Sequence, residues 1–73
     1  MTPEPYHVVC ESEDFQTTVN VACLELAIEF CDFLTLLGWT SRIELGHYPG
    51  PLTPLAEDTT RALVKAFANR PGA

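Results

Sequence analysis

The spacing of apolar residues changes period along the chain, and each change marks an element. Tyr6-His-Val-Val-Cys-Glu-Ser12 is rich in strand-forming residues. Gln16 to Val21 alternates, with Thr17, Val19 and Val21 on one face and Gln16, Thr18 and Asn20 on the other. Glu13-Asp-Phe15 between them reads as a turn, so the two segments form a hairpin with a loop of three or four residues. After Cys23 the period becomes helical. Leu24, Ala27, Ile28, Cys31 and Leu34 fall on one face, and Leu26, Phe30, Phe33 and Leu37 on a second, adjacent one. Glu25, Glu29 and Asp32 make a narrow polar stripe with Leu36 in line behind it, and Gly38 is placed to end the helix. Trp39 to Leu45 alternates again and reads as a third strand. Gly46-His-Tyr-Pro-Gly-Pro-Leu52 is a loop. Thr53 then suits an N-cap and Pro54 the first helical position, with a helix following from Ala56 to Asn69. Leu55, Ala62, Leu63, Ala66 and Phe67 share one side of it.

The order β-β-α-β-α specifies an α+β fold: a small antiparallel sheet of three strands, one central helix packed on it, and a C-terminal helix. A single domain spans 1–73, with 1–5 and 70–73 as flexible tails. The central helix is more apolar than one core requires, since a helix on a single core needs roughly a third to a half of its circumference apolar. Its first face belongs on the sheet. Its second needs either the C-terminal helix or a partner, which leaves room for a binding groove or a dimer interface.

Composition narrows the setting. An apolar content of 47% over 73 residues describes one small folded domain. No apolar run approaches the roughly 20 residues that span a membrane. Met-Thr-Pro-Glu-Pro carries no signal core, so the expectation is a soluble chain that is not exported. Cys10, Cys23 and Cys31 form an odd set without a Cys-x-x-Cys pair, which suits a reducing cytoplasm. The net charge of −6 is unevenly placed. Residues 1–41 hold seven acids and no Lys or Arg, whereas 42–73 hold three acids and four bases, so the two parts stand at −7 and +1. A potential of this sign repels nucleic acid phosphates and attracts basic protein surfaces.

Candidate chemistry is sparse. His7-x-x-Cys10 has a metal-ligand spacing, but on a strand the two side chains point to opposite faces, and no second close pair exists. No metal or cofactor is expected. The thiols lie in the half without a base, His47 has no partner spaced to orient it, and no phosphate loop or nucleophile elbow is present, so an enzyme is not expected. Arg61 and Lys65 are a weak basic patch, better read as a solvated face with Glu57 pairing to Arg61, and direct nucleic acid binding is not expected. Protein binding has more support. Glu11, Glu13 and Asp14 surround Phe15 at the hairpin end, and Glu25, Glu29 and Asp32 line the central helix beside Phe33 and Leu36. Aromatic anchors ringed by charge suit an interaction surface. The competing reading covers Phe33 and Leu36 with the C-terminal helix and leaves the acids merely solvated.

Total length, acidity and the α+β layout around Tyr6–Ser12, the central helix and Trp39–Leu45 carry a likeness. The chain resembles the very short host-directed transcription regulators of lytic phages, in particular small RNA-polymerase-binding inhibitors and antiterminators of Xanthomonas phages. The resemblance implies a non-enzymatic protein of the host bacterial cytoplasm. It would bind a host RNA polymerase subunit, displace the promoter-recognition factor and alter termination, as a monomer or weak dimer and without membrane attachment. It carries over no functional residue. The alternatives are an acidic inhibitor or DNA mimic acting on a nuclease or defence factor, and a metal or redox module.

Overall fold

The computed structural model describes residues 4–71 and gives the order β1 (Tyr6–Ser12), β2 (Phe15–Val21), α1 (Leu24–Leu36), β3 (Thr40–Leu45) and α2 (Pro54–Ala68). This is the expected α+β fold, with a three-stranded antiparallel sheet ordered β2-β1-β3. The hairpin is tighter than expected. Ser12 pairs with Phe15, so only Glu13 and Asp14 connect β1 to β2, and Glu13 takes φ +51° to close the turn. Both outer strands run antiparallel to the central β1, so they are parallel to each other and α1 is the crossover between them.

The register divides the sheet into two faces. Val8 pairs with Val19 and Ile43, and Cys10 with Thr17 and Ser41, on the face that the helices cover. Val8, Cys10, Val19, Ala27, Phe30, Leu34 and Leu63 form the core there, with Trp39, Ile43 and Phe67 packed against it. α1 lies over β1 and β3, and α2 over β2. The opposite face presents His7, Glu11, Arg42 and Glu44, and the segment after β3 crosses it. His7 Nδ1 bonds Gly46 O at 2.7 Å, Tyr48 N donates to Asn20 Oδ1 at 2.8 Å, and Asn20 Nδ2 donates to Tyr48 O at 3.2 Å. The chain thereby passes from the β3 edge over β1 to the β2 edge before α2 begins.

Both helix boundaries follow from capping chemistry. Gly38 at φ +87° follows α1, its N–H donating to Thr35 O at 3.0 Å while Trp39 N donates to Leu34 O at 2.9 Å. These two bonds are a Schellman motif, and they need a residue that tolerates the left-handed region. Thr53 Oγ1 accepts from Ala56 N at 3.2 Å, and Pro54 supplies a preset φ at the first position of α2.

The rotation of both helices differs from expectation. In α1 the buried line is Ala27, Phe30 and Leu34, which draws from both expected faces, while Leu24 and Ile28 stay about half exposed. In α2 the buried residues are Ala56 and Leu63, with Phe67 half-buried. Leu55, Ala62 and Ala66, expected on the buried side, are exposed. The reason is polar. Thr17 Oγ1 donates to Ala56 O at 3.1 Å and lies 2.6 Å from Thr60 Oγ1, which also reaches Thr18 O at 3.3 Å. Burying Thr17 requires these partners, and they turn Ala56 and Thr60 toward the sheet.

The tails also differ in part. Glu4 lies 3.5 Å from His47, Gly46 N donates to Pro5 O at 2.7 Å, and Arg70 packs on Phe67. Residues 1–3 and 72–73 of the expected tails lie outside the described residues.

Candidate docking site on α1 and the C-terminal turn

The stripe Glu25, Glu29, Asp32 and Leu36 recurs at four, three and four residues, so α1 carries it on its outward side. All four residues are exposed, Leu36 at 86%. Phe33 sits at the border of this stripe and is half-buried. Its ring stacks on Phe30 with centroids 6.4 Å apart and meets Phe67 edge-on at 5.6 Å, while Phe30 and Phe67 meet at 5.1 Å. Phe67 of α2 therefore covers one side of Phe33 and leaves the other open.

The chain end completes a groove there. Arg70 lays its guanidinium 3.8 Å above the Phe67 ring and donates to Phe67 O at 2.6 Å. The same guanidinium lies 4.0 Å from Glu29. Glu29, Asp32, Phe33, Leu36, Arg70 and Pro71 line a groove of about 480 Å³, with an apolar floor, one cation and two carboxylates at its rim. Asp32 has no cationic partner within 4 Å among the described residues, and neither has Glu25, Glu13 or Asp14.

The hairpin residues do not join this site. Glu11 lies on the sheet face away from the helices, where Arg42 bonds it at 2.7 Å and bonds Glu44 at 2.7 Å. Glu44 also meets His7 at 3.1 Å. The hydrogen bond from Arg42, then that from His7, holds the Glu44 carboxyl below the usual range, and Glu44 in turn raises Arg42. Phe15 is on the helix side instead, edge-on to Trp39 at 6.4 Å, so Glu11 and Phe15 do not form one cluster. Glu13 and Asp14 are exposed at the turn. The structure thus brings together Glu29, Asp32 and Phe33, keeps Glu25 one turn away on the same stripe, and separates the other four.

Arg70 was missed as a site residue because Pro71-Gly72 after it reads as a tail. Its position three residues after Phe67 was the available signal for a cation over an aromatic ring. Arg61 pairs with Glu57 and with Asp58 at 3.1 Å each. Cys10 is buried, Cys23 exposed and Cys31 half-buried, all as free thiols. Among the described residues no group of three or more His, Cys, Asp and Glu is placed to hold a metal ion. No helix among them is long and apolar enough to cross a membrane. No family model, curated protein or solved structure matches this chain.

Proposed function

We propose that this protein is a non-enzymatic regulator that binds host bacterial RNA polymerase, inhibits initiation and promotes antitermination. One observation carries the docking part of the reading: the acid-rimmed groove in which Leu36 stands 86% exposed beside a half-covered Phe33. An exposed aliphatic anchor beside the unpaired carboxylate of Asp32, with Glu29 shared with Arg70, suits a partner surface that is apolar at its centre and basic at its edge. The polymerase as partner is supported by length, acidity and layout, which resemble small phage regulators of that enzyme. Binding through such a surface can block a site that the promoter-recognition factor occupies, and this needs no catalytic group.

The test is capture of purified bacterial RNA polymerase on the immobilised chain. Retention at low salt is expected, weakening as salt rises through the range that screens exposed charges. Leu36→Lys is expected to lower affinity by about tenfold or more, with the fold unchanged, because the side chain packs on little of its own chain. Failure to retain any polymerase subunit at low salt would falsify the reading.

A further inference from the structure

The two edges of the sheet are treated differently. On β2, Thr60 of α2 reaches the outward carbonyl of Thr18 and so occupies the middle of that edge. On β3 the edge is bare. Gly46 N donates to Pro5 O, which extends the β1–β3 register by one hydrogen-bonded pair. Such pairs alternate along an antiparallel ladder. His7–Glu44, Val9–Arg42 and Glu11–Thr40 therefore exchange their bonds, and Ser41, Ile43 and Leu45 turn their N–H and C=O groups away from β1. No described residue bonds them. Open edges of this kind are templates for another strand unless they are blocked.

The side chains beside this edge are apolar. α2 packs against the Phe30 and Phe33 side of α1, so Leu24 and Ile28 lie on the opposite flank, toward β3. They are 47% and 49% exposed, and Leu45 at the end of β3 is 82% exposed.

We propose that the β3 edge pairs antiparallel with the β3 edge of a second copy of this chain, centred on Ile43. Two identical edges pair this way only about a twofold axis perpendicular to the sheet, which sets residue against residue on matching faces. Centring on Ile43 places Arg42 opposite Glu44 of the other copy and Glu44 opposite its Arg42. Centring on Arg42 or on Glu44 would oppose like charges, which is unfavourable across strands. The Ile43 register also joins outward groups to outward groups at Ser41, Ile43 and Leu45. The helices fit the same axis. With strands about 4.8 Å apart and α1 lying over β1 and β3, its axis stands about 5 Å from the twofold, so the two α1 helices lie about 10 Å apart. That is the distance at which helices pack, and it joins the Leu24 and Ile28 flanks of the two copies. The pairing holds whether or not polymerase is the partner of the α1 groove.

Sedimentation of the full chain across a concentration series tests this. The expected result is a species of twice the 8.1 kDa chain mass, favoured as concentration rises. Ser41→Pro removes only an outward N–H, as an edge strand tolerates, and is expected to leave a folded monomer by circular dichroism. Arg42→Glu is expected to give a monomer too, and adding Glu44→Arg to restore the dimer by exchanging the facing charges. A chain that stays monomeric to about 1 mM overturns the proposal, as does a dimer indifferent to both single variants.

Discussion

Among the described residues, Glu13 is the one other than glycine held at positive φ, +51°. A side chain in that region costs roughly 1–2 kcal/mol through the clash of Cβ with the next carbonyl. Glycine avoids the clash and loses part of the gain to its larger unfolded-state entropy. Glu13→Gly is therefore expected to stabilise the chain by about 0.5–1 kcal/mol, a rise of several degrees in thermal midpoint for a domain this small. An unchanged or lower midpoint would show that the turn is unstrained. Glu-Asp is not a residue pair that announces a two-residue hairpin, as Asn-Gly does, which is why the sequence suggests a longer loop. Gly38 is the opposite case. A glycine directly after a helical apolar run is a stop signal that needs no tertiary information, and its φ of +87° agrees.

At the level of elements, α2 is held to β2 by hydroxyls as well as by apolar contact. Thr17 is buried, and Thr17→Val keeps its shape while leaving Ala56 O and Thr60 Oγ1 without that partner. Equilibrium urea unfolding should show a loss of about 1–3 kcal/mol. Thr60→Val should act in the same direction, and the double variant should lose less than the sum, since the two share one network. A Thr17→Val loss within a few tenths of a kcal/mol would mean that α2 is oriented by Leu63 and Phe67 alone. The start of α2 is legible from Thr53 and Pro54, its rotation is not. Thr17 and Thr60 look like ordinary polar positions in their own elements, and their meeting depends on the loop that crosses the sheet.

For the molecule as a whole, β1 is the strand on which everything else is built, and Cys10 lies at its centre with 0% exposure. Burial, with a smaller contribution from Cys31, pushes its thiol from 9.0 up to about 12. The folded state therefore binds this proton more tightly than the unfolded state. The corresponding stability is complete below pH 9 and falls as pH rises toward 12, by no more than about 1.4 kcal/mol per pH unit for this one group. Thiol labelling at neutral pH gives a second reading. Cys23 should react at once, and Cys10 only as fast as the whole sheet opens, because both ladders of β1 must separate to expose it. Equal labelling rates for the three thiols would contradict a β1-centred core.

The layout β-β-α-β-α, the end of α1 and the cap of α2 were set by neighbours in sequence, through strand alternation, helical period and capping residues. These signals act over a few residues, so they can be read without a fold. Tertiary structure alone decided which flank of α1 is covered, that Arg70 closes a groove against Glu29, and that Glu11 serves a surface ion pair instead of joining Phe15. It also decided that α2 caps the middle of the β2 edge while no described residue bonds the outward groups of β3. Each of these depends on partners at least 31 positions apart in the chain, Glu11 and Arg42 being an example. Such contacts form only once the crossover and the loop have placed the elements, so no local pattern encodes them.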